Sequence, residues 1–185
     1  MCMTGEWTIR PASARDAADV ALSQFLAWQR AYKEILPPEF LAAMDPGRMT
    51  ESWRKALADP VPGVRHLVVC VAGKAVGWSG YGPARDTAAS GTGELQAINL
   101  HPSYWSRGLG SVLFRASEAG LAELGYERAY LWVADGNERA ARFYRRQGWS
   151  ADGVSKEDGR LAPALLEHRF SRVLNVPPAP ARDAS

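Results

Sequence analysis

The chain has 185 residues, 46% of them hydrophobic, which fits one domain with a sizeable core. A formal charge of +2, from 22 Lys and Arg scattered among 20 Asp and Glu, is too mild for a nucleic-acid footprint but allows a small anionic ligand. Cys2 and Cys70 are the only cysteines, His66, His101 and His168 stand singly, and no apolar run approaches the roughly 20 residues that span a bilayer, so the expectation is a soluble, cytoplasmic protein with no disulfide framework, metal site or membrane contact.

The segment EWTIRPA alternates as a short strand and stops at Pro11. SARD then caps a helix, with Ser13 as N-cap and Asp16 at the third helical position. Phe25, Trp28, Tyr32 and Ile35 recur at spacings of three and four and give that helix one aromatic face until Pro37-Pro38 ends it. PEFLAAM suits one or two turns, and GRMTESWRKALA is a second amphipathic helix ending before Pro60. RHLVVCVA and AVGWSGYG then form a hairpin that meets at Gly73-Lys74. PARDTAASGTG is a small-residue loop long enough to be mobile.

ELQAINLHP is a third long strand. After it Leu109, Val112, Leu113, Ala116, Leu121 and Leu124 mark a helix, RAYLWVA a buried strand, and NERAARFYRRQG a helix ending at Gly148. WSADGVSKE and LAPALLEHRFSRVL close the domain as a pair of strands, and the tail NVPPAPARDAS lacks the apolar residues to order itself. The expected organisation is a single domain over residues 6–174 with a disordered tail over 175–185. Its order of elements suits a mixed α/β (α+β) sheet with helices on both faces.

Two stretches carry chemistry. In INLHPSYWSRGLGSVLF, a strand enters a helix through Arg107-Gly108-Leu109-Gly110. Glycine lets a backbone approach a ligand closely, the first turn of a helix has amides without intrahelical partners, and its partial positive charge favours an anion. A diphosphate suits that arrangement, although two glycines at such a turn also serve as tight-turn residues. A Rossmann spacing fails because Leu113 stands where the third glycine belongs, and the Gly-Lys-Ser/Thr of a P-loop is absent. In LWVADGNERAARFYRRQGW, Asn137 caps a helix whose Ala140, Ala141, Phe143 and Tyr144 turn toward the sheet; taken alone, Tyr144 reads equally as a core aromatic.

The order of these two motifs, after a long strand ending in Leu100-His101-Pro102, resembles the GNAT superfamily of acyl-CoA-dependent N-acyltransferases over residues 6–174, and most closely over 94–149. The family motif Q/R-x-x-G-x-G/A keeps its glycines here but begins with Trp105, so a polar side-chain contact from its first position is lost. The resemblance implies a GNAT-like fold: a central twisted, mostly antiparallel sheet of about seven strands, splayed between the fourth and fifth. It implies that Ser106, Arg107, Gly108, Leu109, Gly110 and Ser111 bind the diphosphate of coenzyme A and that the strand edge at Ile98, Asn99 and Leu100 pairs with the pantetheine arm. Asn137 matches an asparagine near the pantetheine, and Tyr144 matches the tyrosine that commonly acts as general acid at the cofactor. A homodimer is plausible by the same resemblance.

Amide formation needs a neutral amine, whereas an alkyl ammonium has a pKa of about 10.4, so a proton must be removed. Glu94, at the start of the strand that would flank the acyl group, is the first candidate base, directly or through water, and a strand amide near Asn99 suits the oxyanion. Trp28, Tyr32, Trp53, Trp78 and Tyr81 are candidates to line an acceptor pocket, with Glu34, Glu39 and Glu51 as acids that would recognise an amine. The leading expectation is transfer of acetyl from acetyl-CoA to a primary amine of a small molecule or protein by direct attack in a ternary complex. The alternative is a non-catalytic acyl-CoA-binding sensor on the same fold. Nucleic-acid binding through Arg139, Arg142, Arg145 and Arg146 is weaker, since the outer face of a short helix is ordinarily charged.

Overall fold

The computed structural model describes residues 6–86, 91–159 and 164–174. The tail 175–185 and part of the loop expected to be mobile, residues 87–90, lie outside them. The strands are β1 (Trp7–Pro11), β2 (Arg65–Val71), β3 (Lys74–Pro83), β4 (Thr92–Leu100), β5 (Arg128–Ala134), β6 (Ser150–Asp158) and β7 (Leu165–Val173). They form one sheet in the order β1-β2-β3-β4-β5-β7-β6, antiparallel throughout except for the parallel pair β4 and β5. The hairpin between β2 and β3 pairs Val71 with Lys74 and turns through Ala72 and Gly73, both with positive φ, the combination a tight two-residue turn requires.

Helices α1 (Ala17–Ala31), α2 (Pro38–Ala42) and α3 (Pro46–Ala58) precede the hairpin; α4 (Leu109–Glu123) and α5 (Glu138–Arg146) follow β4 and β5. At the start of α1, Asp16 is buried and accepts from the Ser13 amide and hydroxyl, each at 2.9 Å, and from both terminal nitrogens of Arg10. The hydrogen-bonded guanidinium holds its carboxyl down at about 2, against the opposing effect of burial. The aromatic periodicity carries on to Ile35, but α1 ends at Ala31, and Ile35 and Leu36 turn back to bond the Tyr32 carbonyl ahead of Pro37-Pro38.

Two packed layers enclose the sheet. On one face Val20 of α1 meets Val68, Cys70 and Trp78; on the other Phe114 and Leu121 of α4 and Ala141 and Tyr144 of α5 meet Leu95, Leu131, Val133 and Phe170. Trp149, fully buried, donates to Glu118 at 2.8 Å and locks the end of α5 against α4.

One irregularity positions the site. β3 pairs Gly80 with Ala97 but the adjacent Tyr81 with Leu95, so Gln96 is an extra residue in β4. Such a bulge bends its strand. It also sends Leu95 to the α4 side while Ala97 joins the α1 side. β4 pairs with β5 only from Thr92 to Glu94, before the bulge; beyond it the two strands diverge. No helix among the described residues is long and apolar enough to cross a membrane.

Candidate functional site

The divergence opens a cavity of about 430 Å³ walled by Ile98, Asn99 and Leu100 of β4 and by Trp132, Val133 and Ala134 of β5. Of the residues singled out from the sequence, Ile98, Asn99, Leu100, Ser106, Gly108, Gly110, Ser111, Asn137 and Tyr144 line it. Along the open half of β4 the backbone pairs only with β3, which leaves its other edge without a strand partner.

The glycine turn forms the mouth. Gly108 caps α4 with φ of 85°, and Ser106 before it also has positive φ, at 60°. The Ser111 amide bonds the Gly108 carbonyl at 3.0 Å, while the amides of Leu109 and Gly110 fall within the first turn, where no intrahelical acceptor exists. A Cβ at Gly110 would meet only the Phe143 ring, at 3.7 and 3.9 Å, an ordinary contact. Packing within the protein therefore does not demand glycine there. Gln147 of the turn after α5 donates to the Ser111 hydroxyl at 3.0 Å and ties this mouth to the second motif.

Two residues of the turn point elsewhere. Arg107 lies with its guanidinium over the Tyr104 ring, 5.5 Å from its centroid, and Leu109 is buried in the core against Val69 and Leu100. Positive charge reaches the cavity by another route. Trp105, anchored by its indole N–H to the Leu100 carbonyl at 2.7 Å, carries the Arg139 guanidinium 3.9 Å above its ring, with Arg30 of α1 at 5.9 Å. Arg142 and Arg146 line the same wall. No acidic side chain among the described residues pairs with Arg30, Arg139, Arg142 or Arg146. Partial burial, and after it the charges of Arg30, Arg146 and Arg142, pull the Arg139 guanidinium below its usual value, although the residue stays exposed.

The spacing of Arg139, Arg142 and Arg146, three then four residues apart, puts them on one helix face. That face is exposed, as the outer face of a short helix is expected to be, and it also lines the cavity beside the glycine turn. Arg145 alone goes the other way, to Glu138 and the Phe170 ring.

Asn137 uses its carbonyl oxygen to accept the Ala140 amide at 3.1 Å, capping α5, and lines the cavity together with Tyr32. Burial raises the pKa of Tyr32, and the nearby negative charge of Glu167 adds to that, partly offset by Asn137. Tyr144 sits between Phe114, Phe143 and Phe170 in the core cluster. Burial first, and the neighbouring Tyr32 second, push its phenol well above the usual tyrosine range. At neutral pH it is a proton-bearing donor.

Glu94 does not reach this cavity, which departs from the expectation of a base beside the acyl group. It lies at the closed end of the β4–β5 pair, fully buried, and its carboxylate accepts from the Arg85 amide at 2.8 Å and from the Arg85 guanidinium at 2.5 to 3.1 Å. Its charge is matched within the chain. The aromatic candidates also divide. Tyr32 lines the cavity; Trp53 and Trp78 pack edge to face at 4.3 Å with His66 beside them under α1, and Tyr81 is buried against α4. Glu34, Glu39 and Glu51 are exposed on the surface.

A family model described as the acetyltransferase (GNAT) family matches residues 25–149. An uncharacterised N-acetyltransferase of Bacillus subtilis, YuaI, is 26% identical over 160 residues, 86% of this chain and 88% of that protein. A phosphinothricin N-acetyltransferase of Streptomyces coelicolor is 32% identical over 85 residues, 46% of this chain and 50% of its own length. Among solved structures, the PaiA N-acetyltransferase of Thermoplasma acidophilum in complex with coenzyme A superposes with a TM-score of 0.70 at 16% identity, covering 91% of this chain and 99% of that one. YncA, a putative acetyltransferase of Salmonella typhimurium with acetyl-CoA, gives 0.64 at 19% identity over 95% and 98%.

Proposed function

The chain belongs to the acetyltransferase (GNAT) family and is an acetyl-CoA-dependent N-acetyltransferase, and on that premise we propose that residues 6–174 work as one domain in which a primary amine attacks the thioester directly inside the β4–β5 cavity. The observation that carries this reading is the meeting, in one cavity, of a glycine turn, a cluster of arginines and a buried Tyr144.

Acetyl-CoA supplies the activated acyl group. The amides of residues 108–110 hold its diphosphate, and Arg139, stacked on Trp105, takes the place of the polar side chain that the motif's first position lacks. The unpaired edge of Ile98, Asn99 and Leu100 pairs with the pantetheine amides as an added strand would, and the Asn99 region supplies an amide toward the acyl oxygen. Asn137, fixed by its capping bond, orients Tyr32 beside the same arm.

The amine arrives charged, with a pKa of about 10.4, and must shed a proton. That proton leaves through water in the open cavity, because Glu94 is committed to Arg85 at the closed end. Tyr144 donates its hydroxyl proton to the departing sulfur. A thiol of pKa near 8.5 is already a fair leaving group, so the tyrosine assists and is not indispensable.

Release of free thiol from acetyl-CoA across a panel of amines tests this. Tyr144→Phe, which keeps the ring and its packing, is expected to lower kcat by about 100-fold while the acetyl-CoA Kd stays within about threefold. Tight CoA binding without release for any amine would favour an acyl-CoA sensor instead.

A further inference from the structure

Beside the thioester cavity a cage of a carboxylate and an indole already holds an ammonium group. Lys156 of β6 sets its Nζ 3.0 Å from both carboxylate oxygens of Asp86 and 4.1 Å from the centroid of the Trp132 ring. Asp86 is itself aimed by the Trp132 indole N–H at 2.6 Å and by the Tyr130 hydroxyl at 3.3 Å. A carboxylate under fixed donors and an aromatic face at right spacing are the two things that bind an alkyl ammonium. Partial burial pushes the Asp86 carboxyl up, but the bonds from Lys156 and Trp132 outweigh it and keep the group ionised.

Three features make this cage a subsite and not only a brace between β6 and the 84–86 segment. Trp132 also lines the thioester cavity, so one residue of β5 borders both. The side chains of Asp86 and Lys156 are 37% and 30% exposed, which leaves the pair accessible, and ion pairs of that exposure hold weakly. The reacting nitrogen must be neutral at the thioester, so a site built for an ammonium beside that cavity suits a second cationic group on the same molecule.

We propose that Asp86 and Trp132 form the specificity subsite for an acceptor that carries a second ammonium group besides its reacting amine, and that Lys156 is an internal stand-in which this group displaces. The proposal rests on the N-acetyltransferase reading for its chemistry but not for its binding step.

Initial rates with α,ω-diaminoalkanes of three to six carbons, against the matched monoalkylamines at saturating acetyl-CoA, test it. The wild type is expected to favour the best diamine in kcat/KM by about tenfold or more. Asp86→Asn collapses that ratio to within about twofold, and Lys156→Met raises it about threefold by emptying the cage. Equal rates for diamines and monoamines in the wild type, an unchanged ratio in Asp86→Asn, or a ratio lowered by Lys156→Met would each overturn the subsite. Calorimetric titration of the same diamines into the protein with CoA needs no turnover. Asp86-dependent diamine binding without any acetylation would keep the subsite and sink the enzymatic reading; acetylation of amines without Asp86-dependent diamine binding would do the reverse.

Discussion

The two ends of the β4–β5 pair are built from the same strands and treat polar groups in opposite ways. At the closed end, Thr92–Glu94 bond Arg128–Tyr130, and the buried Glu94 is satisfied by Arg85. At the open end, Ile98–Leu100 and Trp132–Ala134 stand apart, and among the described residues one backbone edge of β4 has no strand beside it and the arginines there pair with no acid. The closed end pairs its buried carboxylate within the chain, whereas the open end presents a free strand edge and exposed arginines to whatever enters the cavity. The bulge at Gln96 divides the two regimes: it bends β4 immediately after its last bond to β5.

The largest effect is expected at the closed end. Glu94→Ala removes the carboxylate that anchors Arg85 and leaves a cavity, and should cost about 3 kcal/mol in denaturant unfolding. Acetyl-CoA affinity of the folded protein should stay within about threefold, since the site lies beyond the bulge. If stability held and turnover collapsed instead, the closed end would be chemical and the contrast would fail.

At the open end the order reverses. Gly110→Ala has room beside Phe143 and places a better helix former in the first turn of α4, so unfolding should be unchanged or later by up to about 1 kcal/mol. The same methyl group occupies the space a phosphate needs, and the acetyl-CoA Kd should rise about tenfold, or about 1.4 kcal/mol. A stability loss with intact binding would mean the glycine serves packing. The smallest effect belongs to the platform. Trp105→Ala frees Arg139 and should raise the KM for acetyl-CoA about threefold with kcat little changed, and S-acetylpantetheine, which lacks the phosphates, should show no such rise.

Much of the open end was legible because it is local in sequence. The glycines at 108 and 110, the Asn137 cap and the helix that carries Tyr144 each follow from residues within one or two turns. That Glu94 sits at the closed end, bonded to Arg85, was not legible, because strand alternation gives the face of a residue and not which half of its strand keeps a neighbour. The arginines of α5 are exposed as a charged outer helix face should be; periodicity fixes that Arg139, Arg142 and Arg146 share a face and leaves open that the face also lines the cavity. Asp86 and Lys156 had no sequence signal, being 70 residues apart and joined only when β6 folds beside β5's neighbour β7.

By itself the sequence determined the alternation of strands and helices, the hairpin at Gly73, the anion-ready turn into α4 and the capped helix bearing Tyr144, all set by steric and hydrogen-bonding preferences that act over a few residues. Only the tertiary structure decided which end of β4 opens, that Arg139 stacks on Trp105 beside the glycine turn, and that Asp86, Trp132 and Lys156 converge. Those outcomes depend on strand register and on contacts between distant segments, whose energies exist only once the sheet has closed around them.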